Sequence, residues 1–254
     1  MGSAASVGVT VSIVSHGQGK IVSALLSDLA RVKPDAKVIF TYNIPELEVD
    51  LPEVFAENAK IIWNENPKGF GANHNQAFQY CDEPYFVVVN PDIRLSDSPF
   101  EDLARLFSDD ESCGICAPSV ADPTGSIEDS ARYFPTFGGL IKKVLLGEQG
   151  RYPVIQGTPT TVDWAGGMFL MFRADKFRAV NGFDEGYFLY YEDVDICARF
   201  WRRGWKVVYE PRARVTHDAQ RASHKSIRYL RWHVSSMARY LFKHRSPMRF
   251  LFDY

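Results

Sequence analysis

The chain has 254 residues, 46% hydrophobic and 24% charged, with 29 Lys and Arg against 31 Asp and Glu for a net charge of −2. That is room for one large α/β domain or two small ones, with an ordinary globular composition. A charge this close to zero speaks against nucleic acid as a partner, and no apolar run reaches the roughly 18–20 residues that span a bilayer.

Met1 to Ser6 is small and polar and lacks the basic region and apolar core of a secretory signal, so a cytoplasmic protein is expected. Val7 to Ser15 alternates β-branched with small residues and predicts a first strand. It runs into Ser15-His16-Gly17-Gln18-Gly19-Lys20 and then a helical IVSALLSDLA. A strand, a Gly turn and a helix form either a phosphate cradle or a plain connection. This turn is neither G-x-G-x-x-G nor a Walker A sequence. Ala36–Asn43 and Ala59–Asn64 predict two further strands. The loop from Asn64 through Asn66, Gly69, Phe70, Gly71 and Asn75 to Ala77 precedes a helix starting near Ala72. Its amides suit a nucleobase and ribose; the alternative is a solvated turn with amide caps.

Tyr85–Val89 is continuously apolar, as a central parallel strand should be, and it ends in Asn90-Pro91-Asp92. Ligands of open α/β sheets bind at the carboxyl ends of strands, which places Asp92 where a site belongs. A nucleotide diphosphate brought onto a chain without a basic cluster needs a divalent cation, which takes carboxylate and phosphate oxygens together. An ordinary Asn-Pro-Asp turn is the alternative. Phe100–Phe107 predicts a helix and Cys113–Val120 a strand. Cys113 and Cys116 form C-x-x-C inside the apolar CGICAPSV, with no second pair nearby. A core strand is expected there rather than a zinc or redox site, and Cys81 and Cys197 are expected as buried thiols. Ala121–Thr160 is rich in Gly and Pro and predicts a long loop region with one short helix near Leu140–Leu146.

Val162–Phe172 carries Trp164 and the pair Gly166-Gly167 in a strand pattern. Paired glycines admit a ligand close to the backbone. Trp164 either stacks on a sugar face or packs in the core. Asn181-Gly182 opens an aromatic run (Phe183, Tyr187, Phe188, Tyr190, Tyr191) that leads to Glu192, Asp193 and Asp195 at a predicted helix start. That helix stops at Gly204, and a strand from Trp205 begins a segment closing on His217. Carboxylates among aromatics near a histidine suit a general base and a metal ligand; simple capping is the alternative. Beyond His217 basic residues alternate with Tyr229, Leu230, Trp232, Tyr240 and Phe242 from Arg221 to Arg249. This predicts a basic amphipathic helix, either lying on an anionic bilayer or packed on the domain.

The order GFDE, aromatics, YED-x-D, C-x-R, RGW and P-x-x-x-V-x-H resembles the C-terminal half of glycosyltransferase family 2 domains. Together with the Asn66–Asn75 loop and Asn90-Pro91-Asp92, it is most similar to the bacterial rhamnosyltransferase branch. The resemblance covers roughly Val9 to His217. It implies a single GT-A-like α/β domain at 1–220, with a mostly parallel central sheet flanked by helices, plus a C-terminal helical extension at 221–254. It implies an inverting, metal-dependent transfer of a sugar from a nucleotide donor to a hydroxyl. Asp193 would be the catalytic base, with Glu192 its alternate. Asp92 and His217 would hold Mg2+ or Mn2+. Ser15, His16, Asn43, Asn66, Gly71, Asn75, Asn90 and Asp92 would contact the donor, and Trp164, Gly166 and Gly167 the acceptor. Two departures stand out: Asn90 replaces the first Asp of the family's D-x-D, and Tyr42-Asn43-Ile44-Pro45 replaces the usual D-N-x-S-x-D run. The branch implies dTDP-L-rhamnose as donor and a lipid-linked cell-surface glycan precursor as acceptor, met at the cytoplasmic face of the inner membrane. The alternatives are a UDP-hexose or UDP-N-acetylhexosamine donor, or a non-catalytic glycan- or nucleotide-binding module.

Overall fold

The computed structural model describes residues 7–136, 152, 157–218 and 227–244. The helix expected near Leu140–Leu146 lies outside the described residues, as do Met1–Ser6 and both ends of the basic segment Arg221–Arg249. Strand β1 (Val9–Ser15) leads through a turn to α1 (Gly19–Val32), then β2 (Lys37–Tyr42) and β3 (Ala59–Trp63). Helix α2 (Phe70–Phe78) follows, then β4 (Tyr85–Val89), β5 (Ile93–Arg94), α3 (Phe100–Asp109) and β6 (Cys113–Ala121). Short strands β7 (Ala131–Arg132), β8 (Thr160–Val162) and β9 (Trp164–Ala165) precede β10 (Phe169–Arg173) and α4 (Ala174–Ala179). The chain then forms α5 (Glu192–Arg202), β11 (Lys206–His217) and α6 (Ile227–Lys243).

The main sheet has the order β3-β2-β1-β4-β10-β6-β11-β5, with β8 also paired to β11. Strands β3, β2, β1 and β4 are parallel, with α1 and α2 as two of the crossovers and a long loop joining β2 to β3. Strand β10 runs antiparallel between β4 and β6, and β11 returns parallel to β6. Alternation along the strands feeds two cores. Val87, Val89, Phe169 and Met171 point to the side of α1 and α3, where Val22, Leu25, Leu29, Phe100, Leu103 and Phe107 are buried. Phe86, Val88, Leu170 and Phe172 point to the side of α2, α4 and α5, against Ala77, Phe177, Phe183, Ile196 and Phe200. The result is a three-layer sandwich, the general solution for a sheet that is apolar on both faces.

Cys113 and Cys116 are buried in β6 with their sulfurs 3.3 Å apart, and all four cysteines are free and buried. The expected uninterrupted strand over Val162–Phe172 is instead split into β8, β9 and β10. The backbone leaves the main sheet after Val162, pairs as β9 with β7 in a separate two-stranded sheet, turns at Gly166-Gly167 and rejoins the main sheet at Phe169. Among the described residues, no helix is long and apolar enough to cross a membrane.

Candidate active site

Register decides what meets at the carboxyl end of β4. Val89 pairs with Phe169, and the Asn90 N–H donates to the Met168 carbonyl at 2.9 Å. This sets the Asn90-Pro91-Asp92 turn beside the Gly166–Met168 excursion. On the other side, Ile93 pairs with His217 in the β5–β11 ladder, and the Asp218 N–H donates to the Asp92 carbonyl at 2.9 Å. Residues far apart in sequence are thereby fixed as neighbours by backbone pairing alone. The Asp92 Oδ2 lies 3.2 Å from His217 Nε2, and His217 Nδ1 lies 2.8 Å from Glu128 Oε2. The Asp92 hydrogen bond, helped by Glu128 and opposed by burial, raises the imidazole pKa to about 9. The other Asp92 oxygen, Oδ1, is buried without a hydrogen-bond partner.

The second carboxylate group stands at the start of α5. Tyr190 and Tyr191 both adopt left-handed backbone, with φ of 70° and 66°, and Tyr191 is the N-cap. Such a conformation costs about 1–3 kcal/mol per residue for a bulky side chain and is characteristic of functional turns. Here it sets Asp193 against the Gly167 backbone. The Gly167 N–H donates to Asp193 Oδ2 at 3.0 Å, and the Val194 N–H to Asp193 Oδ1 at 2.8 Å. Burial raises the Asp193 pKa, and these N–H groups pull against it. Glu192 is 6% exposed, and its Oε2 is buried without a partner. Burial, then the Asp193 charge, pushes the Glu192 pKa well up.

At the same edge of the parallel block, farther from β10, the carboxyl ends of β1 and β2 meet the loop before α2. The Asn43 Oδ1 accepts from the Lys68 N–H at 2.8 Å and from Asn64 Nδ2 at 2.9 Å. The Asn43 amide nitrogen donates to the Lys68 carbonyl at 3.0 Å and lies 3.2 Å from His16 Nδ1. Asn73 ties the Gly69 carbonyl at 3.0 Å and accepts from Asn64. Ser15 is buried, and its Oγ accepts from the Gln18 N–H at 3.2 Å. His16 and Asn66 are exposed beside this network. The two loop glycines have a steric purpose. A Cβ at Gly69 would stand 2.7 Å from the Phe188 carbonyl oxygen, and one at Gly71 would stand 2.6 Å from Phe183 Cβ. Only glycine lets α2 start against the aromatic run.

Three similarities identify this arrangement. The model for "Glycosyl transferase family 2" matches residues 43–176, and that for "N-terminal domain of galactosyltransferase" matches 161–233. The chain is 31% identical over 252 residues to "Rhamnosyltransferase WbbL" of Escherichia coli (strain K12), covering 93% of this chain and 94% of that protein. The chain belongs to glycosyl transferase family 2. It is therefore a glycosyltransferase. A second relative, "N-acetylglucosaminyl-diphospho-decaprenol L-rhamnosyltransferase" of Mycobacterium tuberculosis, is 33% identical over 146 residues, 53% of this chain and 47% of that one. Among solved structures, GalNAc-T7 with UDP, GalNAc and Mn2+ superposes with a TM-score of 0.68 at 16% identity, over 86% of this chain and 44% of that one. The mannosyltransferase PcManGT from Pyrobaculum calidifontis, with GDP-Man and Mn2+, gives 0.64 at 12% identity, over 94% and 65%. The chain thus spans only part of the length of these solved structures, which share its fold.

Within this family 2 domain the expected site residues fall into three groups. Asp92, Asn90 and His217 meet at one turn; Asp193, Glu192, Gly166 and Gly167 meet at another beside it; Ser15, His16, Asn43, Asn66 and Gly71 line the amide loop. Asn75 is set apart from that loop. Its Oδ1 accepts from the Phe183 N–H at 2.8 Å and its Nδ2 donates to the Phe183 carbonyl at 2.9 Å, so the Asn75 amide clamps the turn that carries the aromatic run. Trp164 is half-buried, with its Nε1–H donating to the Tyr133 carbonyl at 2.9 Å and the Arg132 guanidinium 6.0 Å from its ring centroid. Two features escape sequence reasoning. Glu128 stands beside Asp129 in a Gly- and Pro-rich stretch, with no spacing that singles it out or ties it to His217. The left-handed backbone at Tyr190 and Tyr191 breaks every residue preference, because aromatic residues rarely adopt it.

Proposed function

We propose that this enzyme transfers L-rhamnose from dTDP-L-rhamnose to a hydroxyl of a lipid-linked glycan precursor, with inversion and with a divalent cation. The single observation that carries the reading is the near full-length similarity to an E. coli rhamnosyltransferase, with Asp92, Asp193 and His217 all at the site. The mycobacterial relative's name, a rhamnosyltransferase onto a diphospho-decaprenol-linked sugar, supports a lipid-linked acceptor.

The residues present fit a hard cation. Asp92 Oδ1 is buried and lacks a partner, Asp92 Oδ2 faces an imidazole nitrogen, and Mg2+ or Mn2+ accepts both donor types. Among the described residues, no three His, Cys, Asp or Glu side chains form a metal site by themselves. Two protein ligands completed by donor diphosphate oxygens are the arrangement such cations use in nucleotide enzymes. When bound, the cation would neutralise the charge gathering on the departing diphosphate. Asp92 and His217 would hold it.

Asp193 accepts the proton of the acceptor hydroxyl. As that oxygen bonds to the anomeric carbon, the bond from the carbon to the diphosphate oxygen breaks and dTDP leaves. The Gly167 and Val194 N–H groups hold the Asp193 carboxylate in place for this step. Asn43, with its polar atoms taken up by the loop, holds Lys68 and Asn64 in the segment that would receive the nucleobase.

Peripheral membrane contact is supported by α6. Its outer face exposes Ile227 at 78%, Leu230 at 63% and Val234 at 48%, with exposed Arg228 and Arg231 alongside. Apolar side chains beside arginines suit the interface of an anionic bilayer, where a lipid-linked acceptor resides. A thermal-shift panel of nucleotide sugars with and without Mn2+ tests the donor. We expect dTDP-L-rhamnose to stabilise the protein most, only with Mn2+, and Asp92→Ala to lose that shift. Stronger stabilisation by a UDP-hexose or UDP-N-acetylhexosamine would replace the donor assignment.

A further inference from the structure

The turn from Ala121 to Glu128 belongs to no predicted element, yet its last side chain reaches His217. Asp122 organises it. Its Oδ1 accepts from the Thr124 N–H at 2.8 Å, the Thr124 hydroxyl at 2.6 Å and the Ser126 N–H at 3.0 Å. Gly125 takes the left-handed φ of +87° that closes the turn. The returning chain bridges Ala121 to Ile127, and the Glu128 N–H donates to the Val120 carbonyl at 2.8 Å. This fixes Glu128 on the side of the His217 ring opposite Asp92: Glu128 Oε2 stands 2.8 Å from Nδ1, Asp92 Oδ2 3.2 Å from Nε2. The same strand end leads on to the acceptor side, since the Ser130 carbonyl accepts from the Gly166 N–H at 2.8 Å.

An imidazole can hold a cation through one nitrogen only if that nitrogen is free of its proton. The hydrogen bond at the other nitrogen decides which one that is. A carboxylate beside Nδ1 draws the proton there and makes Nε2 the more basic ligand. We propose that Glu128 is a positioning residue for the metal site: it accepts the Nδ1–H of His217, fixes the ring's tautomer and orientation, and so turns the Nε2 lone pair toward the cation beside Asp92. This rests on the reading that Asp92 and His217 hold a divalent cation. Glu128 does not touch donor or acceptor in that role; it acts through His217.

The test is direct titration of Mn2+, followed by the electron paramagnetic resonance signal of the free ion, with dTDP present and again with UDP. Wild type, His217→Ala, Glu128→Ala and Glu128→Gln are compared. Loss of such an outer partner typically weakens metal binding about 10–100-fold, and that rise in Kd is expected for Glu128→Ala. Glu128→Gln keeps an acceptor oxygen without the charge and should fall between Glu128→Ala and wild type. The Glu128 side chain is 29% exposed, so both variants should melt as wild type does. Weakened binding in His217→Ala with wild-type binding in Glu128→Ala overturns the role of Glu128 and leaves the metal reading standing. Wild-type binding in His217→Ala, or no binding by wild type with either nucleotide, overturns both.

Discussion

Glu192 and Asp193 are adjacent in sequence and differ in what surrounds their carboxyl groups. Asp193 takes two backbone N–H groups, whereas one oxygen of Glu192 is buried with nothing to bond. The charge of the pair therefore belongs on Asp193. Asp193→Asn should lower kcat at least ~10²-fold, the low end of general-base effects, with little change in donor affinity. Glu192→Gln should retain most of kcat, because Glu192 lacks the backbone N–H groups that hold the Asp193 carboxylate. A crippled Glu192→Gln beside an active Asp193→Asn would move the base by one residue. Burial holds the Asp193 pKa above its ordinary value of 3.8, and a base must be ionised to act. The rate should therefore fall, as pH drops, at a higher pH than for an ordinary aspartate, and Glu192→Gln should leave that limb nearly in place; a kcat profile measures both. The acidic side chains of this site were legible in the sequence because they stand at a strand end and a helix start, where ligands and backbone N–H groups gather. Glu128 and the Asn75 clamp were not, since both depend on contacts with residues far along the chain. The strain at Tyr190 and Tyr191 was hidden for another reason: sequence preference reports what is favourable, and this turn is unfavourable.

Helix α5 is tied to α6 by a charge cluster. Asp195, fully buried, takes Arg199 Nε at 2.7 Å, Lys243 Nζ at 2.7 Å, His244 Nε2 at 2.9 Å and the Tyr187 hydroxyl at 3.3 Å. Asp184 takes Arg239 and Lys243 at 3.0 and 2.6 Å. Burial alone would raise the Asp195 pKa, but His244, Arg199 and Lys243 together hold it below the ordinary value. Asp195 thus stabilises the fold above the unfolded-state pKa near 3.8, and that contribution is lost only as pH falls below it. Asp195→Asn takes the charge away from Arg199 and leaves Lys243 with Asp184 alone, and should cost up to about 3 kcal/mol, read as a lowered denaturation midpoint at neutral pH. A midpoint within error of wild type would show that α6 is held without the Asp195 cluster, by the Asp184 pairs and the packing of Tyr240 and Leu241. Arg239 and Lys243 pair with acidic residues of the domain, and Arg228 and Arg231 are exposed beside Leu230. Arg228→Ala/Arg231→Ala should reduce flotation with anionic liposomes at low salt, each charge contributing ~1 kcal/mol at the surface. Equal flotation on neutral lipid would leave α6 as scaffold. The periodicity that predicted α6 could not distinguish these two pairs of basic residues, because both alternate with apolar side chains.

Over the whole molecule, the parallel block β3-β2-β1-β4 presents its carboxyl ends to the amide loop and to Asp92, and the mixed half brings Asp193 and His217 to the same edge. The parallel strands were readable as apolar runs closed by polar turns. The antiparallel insertion of β10 between β4 and β6 was not, since an apolar run does not report its direction. That insertion sets Gly166-Gly167 beside the Asn90–Asp92 turn, so the two halves of the sheet contribute opposite walls of one site. The most direct measurement is release of nucleotide diphosphate, in the presence of a lipid-linked glycan acceptor, from dTDP-L-rhamnose, UDP-hexoses and UDP-N-acetylhexosamines, each with Mn2+ and with EDTA. We expect turnover of dTDP-L-rhamnose with Mn2+, its loss in EDTA and its loss in Asp193→Asn. Preferred turnover of a UDP-sugar, or undiminished turnover in EDTA, would contradict a metal-dependent rhamnosyltransferase built on Asp92, His217 and Asp193.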